Sequence, residues 1–363
     1  MKQVNIGLIG LGGMARWHIH QFEEVEALRI AAICDVSPQA LEETGEKLGI
    51  APEKRYSDFA QLIADAEIDG IVSVTPNNTH AEILKACILA GKPLYAEKPL
   101  TRTYEEAVEV VSLYRQSPIP CMINFSYRNA PGFQRAKRMM EEGKLGAVRH
   151  ISVQYMQEWG AVPFETPYVW RFDESVTGTG TLGDLGSHMI DLAQYVTGSS
   201  IEGLQAMLRT LIPQRPHLET KEPVEVKVDD FACFNASFDN GAVGVFQTSR
   251  NAIGCGNQHE ITVYGDLGTV YVSTLNDHEL TWTSMKEDVK GTLTEVIDVP
   301  SEEGLHPWRA FASLIRGEEI QGYASLEDGF LNQLVLEAVV RSHESRAWID
   351  IASLLPRPVA VSE

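Results

Sequence analysis

A glycine-rich turn near the amino terminus constrains the fold of this chain more than any other feature. Residues 10–15 (GLGGMA) follow a buried apolar strand predicted at 4–9 and precede a helix predicted at 13–26. The first glycine permits a tight turn, the second lets a pyrophosphate approach the backbone, and Ala15 keeps the helix close to the sheet. This order predicts a dinucleotide-binding unit. Four of its residues are candidate cofactor contacts: Gly10, Gly12, Gly13 and Met14.

An acidic residue narrows the choice of dinucleotide. Asp35 directly follows the second predicted strand, at 30–34. A carboxylate there can accept hydrogen bonds from the adenosine ribose hydroxyls and repels a 2′-phosphate. NAD is therefore the predicted cofactor and NADP is disfavoured. The alternative is a glycine-rich turn beside an ordinary loop aspartate.

The periodicity of apolar residues changes near residue 125. Before it, strands and helices alternate, as in a doubly wound parallel sheet. After it, long segments of partial alternation predict a mostly antiparallel sheet, with a strand at 224–238 and a hairpin turn at Asn240-Gly241, where both positions favour positive φ. We therefore predict an α/β protein with an NAD-binding Rossmann domain over 1–125 and an α+β domain over 126–363.

Composition excludes several classes of partner. The chain has 30 Lys+Arg against 50 Asp+Glu, a formal net charge of −20, so we expect no nucleic-acid partner. Its 5 cysteines are widely spaced, which fits neither a disulfide framework nor a zinc site. No apolar run approaches the roughly 18 residues of a membrane span. We expect a cytoplasmic protein with no membrane span and no metal.

Residues 75–80 (TPNNTH) follow the fourth strand predicted along the chain and precede a helix predicted at 79–90. They therefore lie at the carboxyl edge of the sheet, where open parallel sheets bind ligands. Asn78 could cap the helix, which would explain the segment without a ligand. Three of these residues are candidate cofactor contacts: Thr75, Asn77 and His80.

Glu97-Lys98-Pro99 follows the next strand and ends at the same edge. Pro99 biases Lys98 toward an extended conformation, so the backbone directs the lysine side chain. A solvated lysine beside a salt-bridged glutamate is the alternative.

A second candidate for chemistry is the helix predicted at 185–196. Five apolar residues recur at helical spacing and predict its buried stripe: Leu185, Met189, Leu192, Ala193 and Val196. Asp184, His188 and Asp191 fall on another face, so Asp184 and His188 point the same way. A capping or core histidine is the alternative, and a zinc site lacks a cysteine or second histidine nearby.

These motifs, in this order, resemble the Gfo/Idh/MocA family, named after glucose-fructose oxidoreductase, inositol dehydrogenase and a rhizopine-catabolism protein. The resemblance spans nearly the whole chain, and its most specific parts are Glu97-Lys98-Pro99 and the Asp184-x-x-x-His188 helix. It implies that Lys98, Asp184 and His188 are the catalytic group. It also implies a large open-faced sheet in the second domain that binds substrate and pairs subunits, as a homodimer or homotetramer.

Further contacts follow from the same resemblance. Trp170-Arg171-Phe172 is similar to the branch that acts on sugars and anhydrosugars, which implies that Trp170 and Arg171 lie near nicotinamide and substrate. Arg128 matches a family arginine near a variable strand end, here at Asn124. The remaining expected cofactor contacts are Glu97, Lys98 and Asn124. The expected substrate contacts are Lys98, Arg128, Tyr155, Trp170, Asp184 and His188.

The expected function is an NAD-dependent dehydrogenase for a secondary hydroxyl of a cyclic polyol or sugar, such as an inositol, a glucose derivative or an anhydrosugar. His188 would accept the hydroxyl proton, Lys98 would stabilise the developing alkoxide, and Asp184 would hold one of them in place. Two alternatives remain. One is a glycosidase that uses NAD only transiently, which would share every motif. The other is a non-catalytic NAD-binding regulator that keeps the fold and drops the chemistry, against which the presence of Lys98, Asp184 and His188 together argues.

Overall fold

The computed structural model describes residues 3–22, 25–286 and 290–355, and these divide into two units. The first unit combines the chain up to Asn129 with Leu305–Phe330. The second combines Ala130–Gly304 with the chain from Leu331 onward. The predicted boundary at residue 125 thus lies close to the observed one, but Leu305–Phe330 returns to the first unit. Both predicted domain ranges, 1–125 and 126–363, include residues outside the described part of the chain.

The described residues form helices and strands throughout both units. The strands are β1 (Val4–Ile9), β2 (Leu28–Cys34), β3 (Arg55–Tyr56), β4 (Gly70–Ser73), β5 (Leu94–Ala96), β6 (Cys121–Ile123), β7 (Val148–Gln157), β8 (Ile201–Arg209), β9 (Gln214–Pro216), β10 (Pro223–Glu225), β11 (Phe231–Phe238), β12 (Val243–Ser249), β13 (Asn257–Gly265), β14 (Gly268–Ser273), β15 (Glu279–Met285), β16 (Thr292–Asp298) and β17 (Ile349–Asp350). The α-helices are α1 (Gly13–Phe22), α2 (Pro38–Leu48), α3 (Phe59–Ala64), α4 (Asn77–Ala90), α5 (Tyr104–Gln116), α6 (Pro131–Glu141), α7 (Glu174–Thr177), α8 (Ser187–Thr197), α9 (Pro307–Ile315) and α10 (Leu326–Ser345).

In the first unit, the described residues form a parallel six-stranded sheet in the order β3-β2-β1-β4-β5-β6. The order reverses between β1 and β4, and the crevice beyond the carboxyl ends of such strands is where open sheets bind ligands. The predicted Rossmann architecture is confirmed.

The core of the first unit explains why residues 305–330 belong to it. Trp308 of α9 is fully buried and stacks on Phe22 of α1, with ring centroids 4.2 Å apart. It also contacts Tyr95 of β5 at 4.5 Å, and Phe311 packs in the same cluster. Burial of aromatic rings of this size stabilises the unit strongly, so a segment distant in sequence completes its core.

In the second unit, the described residues form a nine-stranded sheet in the order β16-β15-β14-β13-β7-β12-β11-β8-β17. All neighbouring strands are antiparallel except β7 and β12. Helices α6 and α8 pack on this sheet. The predicted α+β fold with a large, mostly antiparallel sheet is confirmed.

Several predicted boundaries were wrong in detail. Helix α1 ends at Phe22, whereas we predicted 13–26; residues 23 and 24 lie outside the described residues. The strand predicted at 224–238 is two strands, β10 and β11. The predicted hairpin joins β11 and β12, but only Gly241 has a positive φ (82°) within it, and its N–H donates to the Phe238 carbonyl. This is a longer turn closed by glycine rather than a two-residue turn.

Within the described residues, no helix combines the length and the apolar character that a membrane crossing requires.

Candidate active site

The glycine-rich turn joins β1 to α1 in the first unit. Gly10 has a φ of +87°, and a Cβ there would lie 2.3 Å from the Val74 carbonyl oxygen, so the position requires glycine. A Cβ added at Gly12 or Gly13 would meet nothing within 4 Å. Met14 beside them is exposed. The open space beside this backbone and the start of α1 fit the approach of a pyrophosphate.

Asp35 lies at the end of β2 and faces this turn. One carboxylate oxygen accepts a hydrogen bond from the Leu11 N–H at 2.7 Å, and the other accepts from the Ser37 N–H at 2.8 Å. These two bonds fix the carboxylate beside the turn and leave acceptor capacity on both oxygens. The residue therefore fits the predicted role of binding ribose hydroxyls.

Residues 75–80 lie at the carboxyl edge of β4, as predicted, but helix α4 begins at Asn77 with Pro76 as its N-cap residue. Asn78 is therefore not the cap. His80 is buried, and its two ring nitrogens lie 2.8 Å from the Pro99 carbonyl and 2.9 Å from the Thr75 carbonyl. Burial lowers the pKa of His80, against the influence of those carbonyls. The imidazole thus lies between the Thr75 and Pro99 carbonyls and, when neutral, donates to one of them. The cofactor contact of His80 stays a prediction.

Glu97 is the centre of a buried polar network at the end of β5. Its Oε1 accepts from His18 Nε2 and from Asn124 Nδ2, both at 2.8 Å, and the Tyr95 hydroxyl donates to Asn124 Oδ1 at 2.7 Å. Burial alone would raise the pKa of Glu97, but the hydrogen bonds from His18 and Asn124 and the nearby charge of Lys98 hold that pKa below its usual value. A fixed carboxylate thus precedes Lys98, whose peptide bond to Pro99 is cis.

Arg128 belongs to the first unit, where it is buried. Its guanidinium lies 3.3 Å from the Asp328 carboxylate and donates to the Tyr323 carbonyl at 3.3 Å. Both partners belong to Leu305–Phe330. These contacts indicate that Arg128 secures that segment, and its contact with substrate stays a prediction.

Asp184 and His188 lie where a π-helical turn, Leu182–Gly186, leads into α8. Turns of this kind are frequent at functional sites. The Asp229 carboxylate accepts from the N–H groups of Gly180 and Leu182, both at 2.7 Å, and so orders the start of the turn. The five residues of the predicted buried stripe are all buried, but so are His188 and Asp191. We had predicted an amphipathic helix, but α8 is enclosed on nearly all sides.

His188 is supported by aromatic rings from the sheet. The Tyr155 ring meets the imidazole edge-on, with centroids 6.0 Å apart, and stacks on His259 at 4.8 Å. The Tyr155 hydroxyl donates to Asn257 Oδ1 at 2.7 Å. Tyr155 is buried, and these contacts indicate that it supports His188. Its contact with substrate stays a prediction. Burial lowers the pKa of His259 to about 3, so its ring is neutral near pH 7.

The Asp184 carboxylate lies among arginines. Arg250 Nη2 donates to its Oδ2 at 2.8 Å, and Arg171 Nε lies 3.8 Å from the same oxygen. The Arg171 guanidinium stacks over the Trp170 ring at 4.5 Å, and Trp170 is exposed. The second unit thus brings together Asp184, Trp170 and Arg171 as an exposed aromatic surface beside a carboxylate, an arrangement suited to a hydroxylated ring.

Sequence analysis missed His18, Asp229 and Arg250. Arg250 lies at one edge of the sheet, where β7 and β12 end and β11 and β13 begin, and this position is the feature that could have identified it. Charged residues flank three of these strands there, Glu158 after β7, Arg250 after β12 and Asp230 before β11, but the pairing that brings them to one edge is not readable from periodicity. His18 lies three residues after the glycine-rich turn and carries no signal of its own.

Among the residues the structure describes, no cluster of three or more histidine, cysteine or acidic side chains could hold a metal ion.

Family models match both parts of the chain. Residues 4–125 match the oxidoreductase family with an NAD-binding Rossmann fold, and residues 133–271 match the GFO/IDH/MocA C-terminal domain. A levoglucosan dehydrogenase of Pseudarthrobacter phenanthrenivorans is 31% identical over 98% of this chain and 100% of its own. A myo-inositol 2-dehydrogenase of Thermotoga maritima is 27% identical over 97% of this chain and 100% of its own.

Solved structures are similar over the same extent. A levoglucosan dehydrogenase in complex with NADH and L-sorbose superposes with a TM-score of 0.88 at 30% identity, over 97% of this chain and 99% of that one. An oxidoreductase domain protein from Kribbella flavida gives 0.89 at 30% identity, over 97% and 100%. The predicted resemblance is confirmed. The chain belongs to the Gfo/Idh/MocA family of NAD-binding oxidoreductases.

Proposed function

We propose that this protein is an NAD-dependent dehydrogenase that oxidises a secondary hydroxyl of a cyclic polyol or sugar. The observation that carries the proposal is the placement of complementary groups in the two units. In the first unit, Lys98 follows the fixed carboxylate of Glu97 at the carboxyl edge of the parallel sheet. In the second unit, Asp184 lies in the π-helical turn before α8, and the buried His188 lies in the first turn of α8. Full-length similarity to a levoglucosan dehydrogenase and a myo-inositol 2-dehydrogenase, and similarity to a scyllo-inositol 2-dehydrogenase over 78% of this chain, support the substrate class.

The residues of this chain divide the work of alcohol oxidation. His188 accepts the hydroxyl proton as general base, and Lys98 stabilises the negative charge that develops on the oxygen. Asp184 orders the reacting groups. When bound, NAD supplies the acceptor for the hydride. Glu97, held by His18 and Asn124, fixes the strand end that carries Lys98.

Asp35 sets the preference for NAD over NADP. Its carboxylate is held beside the glycine-rich turn by the N–H groups of Leu11 and Ser37. A fixed negative charge there accepts bonds from ribose hydroxyls and repels a 2′-phosphate.

A panel of cyclic substrates tests the function directly. Levoglucosan, myo-inositol, scyllo-inositol and glucose would each be incubated with NAD and with NADP, and NADH formation would be followed by absorbance. We expect stoichiometric NADH from an anhydrosugar or an inositol. Release of an aglycone from glycosides without net NADH would favour the transient use of NAD by a glycosidase. Tight NADH binding with no turnover on any member would favour a regulator.

We also propose that two copies of the chain pair through the open face of the nine-stranded sheet, as a homodimer or homotetramer. Apolar side chains are exposed on this sheet, at Met207 of β8 and at Val243 and Val245 of β12. Light scattering after gel filtration should give the molar mass of a dimer or a tetramer. Val245→Asp should shift the measured mass toward that of a monomer. A monomeric wild-type protein at micromolar concentration would contradict this proposal.

For localisation, we propose the cytoplasm. All 5 cysteines lie in the described residues as free thiols, as expected in a reducing compartment. Cell fractionation with an antibody to the protein would test this.

A further inference from the structure

Arg250 follows the last residue of β12 and turns its side chain into the second unit. Its guanidinium donates to the Asp184 carboxylate at 2.8 Å, to the Gly180 carbonyl at 3.2 Å and to the Arg171 carbonyl at 3.4 Å. All three acceptors belong to the segments that carry the candidate site. Neither cofactor nor substrate is needed to account for its position.

The burial of this ion pair is asymmetric. The Arg250 side chain is 1% exposed, whereas that of Asp184 is 24% exposed. The guanidinium also lies 5.1 Å from the Trp159 ring and 5.8 Å from the Phe172 ring. The cation therefore lies inside the unit, and the carboxylate is the member of the pair that reaches the surface.

The backbone of Arg250 is held on both sides. Its N–H donates to the Asp230 carbonyl at 3.2 Å, and its carbonyl accepts from the Gly160 N–H at 2.9 Å. A Cβ at Gly160 would lie 2.9 Å from both Arg250 Cβ and its carbonyl oxygen, so glycine permits this close approach. The backbone that carries the guanidinium is thus fixed in position where β12 ends beside the start of β11.

We propose that Arg250 is a positioning residue that fixes the orientation and the negative charge of Asp184. This inference rests on the proposed function, which gives Asp184 its part in the reaction. Guanidinium is permanently charged and presents its donors in a planar fork. Removing it takes away the buried donor at 2.8 Å and leaves only Arg171 Nε, 3.8 Å from the same oxygen, so the Asp184 side chain is freer to rotate. Lysine keeps the charge but loses the fork.

The kinetic test compares five variants: Arg250→Gln, Arg250→Lys, Asp184→Asn, Arg250→Gln combined with Asp184→Asn, and the control Arg341→Gln. Arg341 pairs with Glu337 on the surface of α10. We expect Arg250→Gln to lower kcat by about 10- to 100-fold, the scale of a misplaced catalytic group, with NADH affinity unchanged. Arg250→Lys should fall between Arg250→Gln and wild type. The double variant should lose no more than Asp184→Asn alone, because the two residues act as a unit.

A crystal structure of Arg250→Gln supplies a readout that needs no substrate. The proposal predicts that the Asp184 carboxylate moves by about 1 Å or more, the displacement that costs such rates. An unmoved carboxylate, a wild-type kcat in Arg250→Gln, or multiplicative losses in the double variant would overturn it. If Arg250→Gln does not fold, Arg250→Lys carries the same comparisons. Wild-type turnover in Asp184→Asn would instead refute the proposed function, while the crystal structure would still decide whether Arg250 orients Asp184.

Discussion

The carboxylates of Asp35, in the first unit, and Asp184, in the second, are held by different means. In the first, the Asp35 carboxylate is held by backbone N–H groups of Leu11 and Ser37, in turns that directly follow strands. In the second, the Asp184 carboxylate is held by Arg250, which lies 66 residues further along the chain and is almost completely buried. The first arrangement depends on backbone conformation, and the second depends on a buried ion pair.

This difference has a consequence for tolerance to substitution. A backbone N–H is present whatever the side chain, so Asp35 keeps its two bonds as long as the turns form. A buried ion pair is weakened when either partner is replaced, because the remaining charge loses its nearest compensation. We therefore expect the position of Asp184 to be more sensitive than that of Asp35 to substitution of its neighbours.

The largest effect should come from Lys98 in the first unit. Lys98→Ala removes the cation that stabilises the developing alkoxide, so we expect kcat to fall by at least the loss expected for His188→Ala, about 10² to 10⁴. Steady-state NADH formation on the best substrate measures this. Lys85→Ala, which removes an exposed lysine paired with Glu109 in the same unit, should retain activity. Comparable activity of the two variants would end the assignment of Lys98.

His188 tests the second unit on its own. His188→Ala should lower kcat by about 10² to 10⁴, the usual contribution of a general base. NADH affinity, measured by fluorescence titration, should not change, because the proposed cofactor edge belongs to the first unit. The exposed His278 provides the control variant His278→Ala. Near wild-type turnover in His188→Ala would show that another group accepts the proton.

Asp35 should affect the choice of cofactor and little else. Asp35→Asn keeps an acceptor oxygen for one of the two N–H groups, replaces the other oxygen with an amide NH2, and removes the charge that opposes a 2′-phosphate. Two unit charges near 4 Å interact by about 1 to 4 kcal/mol near a surface, so we expect kcat/KM with NADP to improve roughly tenfold or more relative to NAD.

Asp69→Asn is the matched control for Asp35. Asp69 also accepts from a backbone N–H, that of Asn5, but at the opposite end of β1. Asp69→Asn should leave the ratio of kcat/KM with NADP to kcat/KM with NAD unchanged. An equal ratio in both variants would mean that the Asp35 charge does not select the cofactor.

The smallest expected effect is on stability in acid, through His259 beneath Tyr155. Its pKa is lowered to about 3 by burial, from an ordinary value of 6.5. Below about pH 6.5, His259 therefore binds a proton in the unfolded chain but stays neutral in the folded chain. Its effect lowers the free energy of unfolding by about 1.4 kcal/mol per pH unit from there toward pH 3. Relative to pH 8, His259→Phe should recover about 2 kcal/mol at pH 5.

Urea unfolding of wild type and His259→Phe at pH 8 and pH 5 measures this difference. The change between the two pH values is the informative quantity, since the altered ring also changes packing. His278→Phe, at an exposed histidine, should leave the pH dependence as in wild type. Parallel pH dependence in wild type and His259→Phe would show that His259 is protonated normally.

The same contrast between the units explains what could be predicted from sequence. Residues 10–15, Asp35 and Glu97-Lys98-Pro99 were predictable because each directly follows a strand of a parallel sheet, and such strands end at one edge. Arg250 was not, because its role depends on which antiparallel strands are neighbours. The burial of His188 and Asp191 was missed for a related reason, since helical periodicity describes one covered face and α8 is enclosed on nearly all of them.

The most direct test of the account is a crystal structure of the protein with NADH and its best cyclic substrate. The account predicts that the Lys98 Nζ and one imidazole nitrogen of His188 both lie within hydrogen-bond distance, about 2.6 to 3.2 Å, of the same substrate hydroxyl beside the nicotinamide. A productive complex in which that hydroxyl contacts only one of the two side chains, or neither, would contradict it.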